Sequence, residues 1–252
     1  MEWETLLQAA EDAACAAGAK LREGAAQLRE VEFQDQRDVK LRADRESEVL
    51  IREILAEKTL FPVFGEEMGG DESLTDQYEP YWVVDPLDGT YNYLRGSHVC
   101  AVSIGLMRGE TPLLGVIYDF NMGTLYSGLV TEGLTINGQE PATEWATSMD
   151  QAALVTGFPA GMVRSAESME AFIERINAYK KIRMVGSASM ALAYVASGIF
   201  DVYYEEAIRL WDVAAGLALV QAAGGTVRMK RSATGKPMAY DVWAGKEELF
   251  GK

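Results

Sequence analysis

The sequence predicts a mixed α+β to α/β protein in two lobes, with a largely antiparallel sheet in residues 1–140 and an α/β arrangement in residues 141–252. Three observations predict this. From Tyr81 to Gly138, runs of β-branched and aromatic residues are separated by short turn signals, Asn121-Met122-Gly123 and Asn137-Gly138, the pattern of antiparallel hairpins. From Ala153 onward, strand-like runs alternate with helical periodicity. Between them lies a polar stretch over 140–150 that carries Pro141, where we place the boundary.

Residues 3–29 predict a helix, because Trp3, Leu6, Leu7, Ala10, Ala13, Ala14, Ala17 and Leu21 recur at spacings of three and four. Residues 31–40 alternate loosely around the charged cluster Asp35-Gln36-Arg37-Asp38 and predict a strand or hairpin. Asp44 opens a second amphipathic helix containing Val49, Leu50, Ile51, Ile54 and Leu55. An aspartate there reads as an N-cap, and alternatively as a site residue. Phe61 to Phe64 is a short apolar run that stops at Gly65-Glu66-Glu67, which is either a solvated loop or a carboxylate source at a strand end. The polar segment from Asp71 to Pro80 is a surface connection.

The chain is organised around Tyr81-Trp82-Val83-Val84-Asp85-Pro86-Leu87-Asp88-Gly89-Thr90-Tyr91-Asn92. Tyr81 to Val84 predict a buried strand, and Pro86 and Gly89 are expected to break it. Asp85 and Asp88 flank the break with the Leu87 carbonyl between them. Like charges brought that close repel unless a cation lies between them. A hard divalent ion such as Mg²⁺ takes oxygen ligands of this kind, commonly together with substrate phosphate. Gly89 permits close backbone approach, and a helix beginning near Thr90 would aim free N–H groups at an anion. Read in isolation, the same residues are also an Asx-rich turn after a strand.

Further strands are expected at Val99 to Leu106, Leu114 to Phe120, Thr124 to Val130, Ala153 to Phe158, Ile182 to Val185, Phe200 to Tyr204, Thr226 to Met229 and Tyr240 to Ala244. Helices are expected from Ser165 to Tyr179, from Gly186-Ser187-Ala188-Ser189 through Ala196, and from Trp211-Asp212 to the glycine stop at Gly224-Gly225. Asp212 reads as an N-cap or as a metal ligand.

Composition narrows the function classes. The 252 residues are 48% hydrophobic and 24% charged, with a formal net charge of -15. That charge argues against a nucleic-acid binder and against docking on anionic membrane, while a cation can still bring an anionic substrate to an acidic site. The two cysteines, Cys15 and Cys100, have neither zinc nor disulfide-framework spacing and are expected as free thiols, which suits a reducing cytoplasm. No run approaches about 18 apolar residues, and the acidic Met1-Glu2-Trp3-Glu4 lacks the basic start of a signal peptide. Cytoplasmic localisation is the resulting expectation. The single histidine, His98, is expected on a loop and leaves little room for histidine-based phosphoryl transfer.

Gly65-Glu66-Glu67, then Asp85-Pro86-Leu87-Asp88-Gly89-Thr90 with Asn92, then Trp211-Asp212-Val213-Ala214-Ala215-Gly216 with Gly224-Gly225, stand in this order. Together they resemble the inositol monophosphatase family of Mg²⁺-dependent, lithium-sensitive phosphatases, which shares its fold with fructose-1,6-bisphosphatase. The resemblance covers nearly the whole chain. It implies a layered αβαβα sandwich, two or three Mg²⁺ ions per site, a small phosphate monoester as substrate and a homodimer. By position, it implies Glu66, Asp85, Asp88, Asp212 and the Leu87 carbonyl as metal ligands, with Glu66 also bridging to water. Gly89 and Thr90 are implied to hold phosphate, and Thr90 with Asp44 to orient the attacking water. Gly186, Ser187, Ala188 and Glu205 match substrate contacts. The family's loop lysine before the second helix has no clear counterpart: Phe33 or Gln34 falls there, and Lys40 stands at a different spacing.

The reading that follows is hydrolysis of inositol monophosphate or a related polyol phosphate. The same chemistry on fructose 1,6-bisphosphate, histidinol phosphate, 3′-phosphoadenosine 5′-phosphate or a dinucleotide phosphate stays open, as does a non-catalytic sugar-phosphate-binding regulator.

Overall fold

The alanine-rich N-terminal stripe forms α1 (Trp3–Glu23), which buries Leu6, Ala9, Ala10, Ala13, Ala14, Ala17 and Leu21 on one side. The structure is a computed structural model and describes residues 3–34, 39–158 and 165–251. The single helix expected through residue 29 is interrupted. Gly24, with the poorest helix propensity short of proline, ends α1, and the chain resumes as the one-turn α2 (Ala25–Leu28). Next come β1 (Val31–Gln34) and β2 (Val39–Leu41), an antiparallel ribbon that pairs Phe33 with Lys40. The cluster Asp35 to Asp38 lies outside the described residues. α3 (Arg42–Lys58) then packs against α1.

The first large sheet holds β3 (Val63–Gly65), β4 (Pro80–Asp88), β5 (Ala101–Arg108), β6 (Thr111–Asp119), β7 (Thr124–Leu129) and β8 (Gly133–Ile136), side by side in that order. Only β3 and β4 run parallel. The short α4 (Thr90–Leu94) follows β4. The second sheet is mixed, with strand order β10-β9-β11-β13-β12. Its elements are β9 (Ala153–Thr156), α5 (Ala166–Ile176), β10 (Lys181–Arg183), α6 (Ala188–Ala196), β11 (Val202–Arg209), α7 (Leu210–Ala222), β12 (Thr226–Arg231) and β13 (Ala239–Gly245).

Period-two alternation along the strands sorts these elements into five layers. Trp82 and Val84 of β4, with Ile104 and Leu106 of β5, pack under α1 and α3. Tyr81 and Val83 point the other way, into a core filled by α6 and α7 that also takes Val155, Tyr203, Val242 and Ala244 from the second sheet. On that sheet's far side, Leu154, Val202 and Tyr204 pack with Tyr179, Leu249 and Phe250, and Ile176 of α5 borders them. The order is therefore helix, sheet, helix, sheet, helix, with α7 buried at the centre.

Glycines set how deeply α7 sits. Gly105, Gly115 and Gly128 stand in register across β5, β6 and β7. A Cβ on Gly115 would fall 2.1 Å from the Ala215 carbonyl oxygen, and one on Gly105 would fall 2.9 Å from the Ala215 nitrogen. The bare row lets the alanine face of α7 lie almost on the sheet backbone, which carries Asp212 to the end of β4. Among the described residues, no helix is long and apolar enough to cross a membrane.

Candidate active site

Three strand ends and the first turns of four helices meet at one point. The strand expected to stop at Pro86 instead runs on to Asp88 with a register shift between Asp85 and Asp88: Asp85 pairs with Ser103, and Asp88 with Ala101. β4 thus spends one residue more than β5, a bulge, and Pro86 fits there because it has no N–H to contribute to the ladder. The extra residue changes parity. In a regular strand, residues three apart face opposite ways, but here both carboxylates lie on the face covered by α6 and α7, while Leu87 packs into the outer core.

Glu66 follows β3 and is laid along β4 by its N–H bond to the Val84 carbonyl (3.1 Å). Asp212 is the third residue of α7, and its Oδ2 accepts from the Arg209 N–H (3.3 Å). Carboxylate oxygens of Glu66, Asp85 and Asp212 lie within 4.8 Å of one another. Asp88 stands beside this trio and is held differently: its Oδ2 accepts from the Ser189 N–H (2.7 Å) and from the Ser187 and Ser189 hydroxyls (2.5 Å each).

Burial pushes the pKa of all four carboxyls up. The neighbours add to it at Glu66, through Asp212, and at Asp85, through Glu66, while the serine bonds pull Asp88 back down. Such a cluster is satisfied by protons or by a cation. All its side-chain donors are oxygens, which fits a hard divalent ion rather than zinc or copper. A hard divalent ion such as magnesium therefore fits the Glu66, Asp85 and Asp212 trio.

Gly89 adopts φ +86°, and a Cβ there would fall 2.9 Å from the Val99 carbonyl, so both conformation and space call for glycine. Thr90 begins α4. Its hydroxyl lies 2.9 Å from Asp44 Oδ1 and 3.0 Å from the Leu87 carbonyl. Asp44 is not the N-cap residue of α3 but its third helical residue, reaching back so that Oδ2 accepts the Leu41 N–H (2.6 Å). It is 2% exposed. Burial pushes its pKa up to about 7, against the bonds from Leu41 and Thr90.

A cavity of about 220 Å³ opens beside Asp88 and Asp212 and is lined by Gly186, Ser187, Ala188 and Glu205 among others. Glu205 does not end its strand as expected: β11 continues to Arg209 through a register shift between Glu205 and Ile208. Burial raises the Glu205 pKa to about 8, and Gly157 leaves the space its carboxylate occupies. Gly186 is fixed by Asn92, whose Nδ2 donates to the Val185 (2.9 Å) and Gly186 (3.2 Å) carbonyls and to Val99 (2.8 Å). His98 is an exposed loop residue, and both cysteines are free.

Ser189 and Lys40 had no assigned role in the sequence reading. Ser189 stands within the quoted Gly-Ser-Ala-Ser run but contacts Asp88 101 residues away. Lys40 lies across the ribbon from Phe33 and places Nζ 2.7 Å from Glu67 Oε1.

An oxygen-only acidic cluster at the strand ends of a five-layer αβαβα sandwich is a site for hard divalent cations. The chain matches the model of the inositol monophosphatase family over residues 2–249 and belongs to that family. It is 34% identical over 256 residues to a protein of Aquifex aeolicus named fructose-1,6-bisphosphatase/inositol-1-monophosphatase, covering 96% of this chain and 91% of that one. It is 36% identical over 232 residues to an inositol monophosphatase of Mesembryanthemum crystallinum, covering 88% and 84%. Among solved structures, it superposes on inositol monophosphatase from Anabaena with a TM-score of 0.78 and 31% identity, covering 98% of this chain and 92% of that one. The extragenic suppressor protein suhB from Bartonella henselae gives 0.83 and 28%, covering 97% and 94%.

Proposed function

We propose that the protein hydrolyses inositol monophosphate or a closely related polyol phosphate, using water as the nucleophile and Mg²⁺ as cofactor. The observation that carries this reading is the junction of the Glu66–Asp85–Asp212 cluster with the cavity that holds Glu205. When bound there, divalent cations supply the positive charge that activates water and stabilises the departing ester oxygen.

The chain's own residues do the rest. Asp85, Asp88, Asp212, Glu66 and the Leu87 carbonyl would hold the cations, two or three per site. Gly89 and the first turn of α4 offer N–H groups outside the helical ladder to the phosphate oxygens. The Thr90 hydroxyl has one proton for two acceptors. Donating it to Asp44 leaves oxygen lone pairs free to orient the attacking water. The new P–O bond forms to water as the P–O bond to the substrate oxygen breaks; the water proton leaves toward Thr90 and Asp44, and the departing alkoxide takes a proton from solvent to leave as the alcohol. Glu205 and Ser187, with the backbone of Gly186 and Ala188, receive the hydroxylated part of the substrate.

Fructose 1,6-bisphosphate is the second reading, favoured by the name of the Aquifex relative. Phosphate release from inositol 1-phosphate, fructose 1,6-bisphosphate, histidinol phosphate and 3′-phosphoadenosine 5′-phosphate, each with Mg²⁺ or EDTA, separates them. A preference for inositol 1-phosphate supports the first reading, and turnover of none of the four contradicts it. The reading extends to a cytoplasmic homodimer, which sedimentation and cell fractionation test.

A further inference from the structure

Asp44, Glu48 and Arg52 follow one another at spacings of four on α3, so they share a face of that helix. Asp44 belongs to the site just described, whereas Glu48 and Arg52 do not touch it. Glu48 is fully buried. Its Oε2 accepts the Glu67 N–H (2.7 Å), and its Oε1 accepts the Met68 N–H (3.2 Å) and Arg52 Nε (2.8 Å). Arg52 in turn donates to the Val63 carbonyl (3.1 Å) and the Gly69 carbonyl (2.6 Å).

Four of these five bonds end on one loop, and the fifth joins Glu48 to Arg52. Residues 63 to 69 carry Glu66, and Glu48 with Arg52 grips the backbone on both sides of it. Gly65 is shaped to this grip, because a Cβ there would lie 2.1 Å from Glu48 Oε1. The Glu67 side chain is tied separately to Lys40 (2.7 Å), and the Glu66 N–H to Val84. Glu66 is thereby left with its carboxylate turned into the acidic cluster and its neighbours fixed. Glu48 is fully buried while Arg52 keeps part of its side chain in water, and desolvation offsets most of the attraction in such a pair, so what it contributes here is the fixed position of the loop backbone.

We propose that Glu48 and Arg52 are positioning residues that set the divalent-metal affinity of the cluster by fixing the loop that presents Glu66. The inference rests on the reading that Glu66, Asp85 and Asp212 hold metal. Partners that orient ligands through a hydrogen bond are worth about 10–100-fold in metal affinity. Fixed from α3, the Glu66 loop also shares one rigid element with Asp44.

The test is a titration of Mn²⁺ into the metal-free full-length chain, read by the EPR signal of free Mn²⁺, with thermal unfolding in EDTA alongside. Glu48→Gln and Arg52→Lys are each expected to weaken Mn²⁺ binding at least about tenfold, and Mn²⁺ to raise their melting temperatures less than that of wild type. Arg52→Lys keeps the charge while losing the fork that spans Val63 and Gly69, and it carries the test if Glu48→Gln does not fold. Wild-type Mn²⁺ affinity in a folded variant whose EDTA melting temperature alone has dropped overturns the proposal, since that is a purely structural clamp. Asp85→Asn, run in parallel, separates the two levels. Loss of Mn²⁺ binding in it keeps the metal reading whatever Glu48 does, and wild-type binding in it removes that reading and the inference together.

Discussion

Thr90 Oγ1 lies 2.9 Å from Asp44 Oδ1, joining the first turn of α4 to the first turn of α3 across 46 residues of sequence. Asp44 has its other oxygen committed to the Leu41 N–H, so its carboxylate cannot swing away from the threonine. The couple is therefore preorganised before any substrate arrives. Thr90→Val keeps the shape and removes the hydroxyl. It is expected to lower kcat by on the order of 10²-fold while leaving Mn²⁺ affinity near wild type. Steady-state kinetics with a parallel metal titration check both, and an unchanged kcat removes the couple from the mechanism.

Burial of Glu66, Asp85 and Asp212, with repulsion from neighbouring carboxylates added to it, gives a prediction for the metal-free chain. The folded-state pKa values of these groups are raised, and that of Asp44 reaches about 7. Between the ordinary carboxylate range and those raised values, the folded chain binds more protons than the unfolded chain. Stability must then fall as pH rises through that window. In EDTA, the melting temperature is expected to be higher at about pH 5 than at about pH 8. Relief of the general -15 charge acts in the same direction, so the discriminating measurement is the Mg²⁺ increment, expected to be larger at the higher pH. Equal increments at the two pH values contradict the cluster's role.

Gly115 supplies a packing test. Gly115→Ala places a methyl group 2.1 Å from the Ala215 carbonyl oxygen, and backbone has to move to admit it. Overpacking of this kind costs about 1–3 kcal/mol, readable by chemical denaturation. Because α7 carries Asp212, metal affinity should fall with it. Loss of stability with intact affinity would show that α7 moves without disturbing its first turn.

Glu205 is expected to act on binding rather than on bond breaking. Glu205→Gln should raise KM several-fold, up to about tenfold, with kcat little changed, the signature of lost uniform binding. An unchanged KM across the substrate panel would reduce Glu205 to a buried carboxyl with no substrate role.

Local chemistry explains what could be read before the fold was seen. Asp85, Leu87, Asp88, Gly89 and Thr90 are contiguous, so their common destination is written in one stretch, and Glu66 and Asp212 sit at a strand end and a helix start that punctuation marks. The bulge at Pro86 was misread as a strand end, because proline and glycine break a strand in most contexts and only the pairing with Ser103 and Ala101 reveals the continuation. Gly105, Gly115 and Gly128 acquire meaning only in register, which no single strand encodes. Glu48 escaped notice because its partners in the Glu66 loop are backbone N–H groups, which every residue but proline carries. Lys40 stands at a different linear spacing from the family's loop lysine, and only the ribbon's pairing shows that it lies opposite Phe33.

The central claim is tested most directly by the Mg²⁺ dependence of phosphate release from inositol 1-phosphate, measured for wild type and Asp88→Asn. Wild type is expected to show saturable activation by Mg²⁺ and none in EDTA, and the variant a loss of more than about 100-fold, beyond what residues that merely orient ligands contribute, with the fold intact by circular dichroism. Wild-type turnover in EDTA, or full activity in Asp88→Asn, would contradict it.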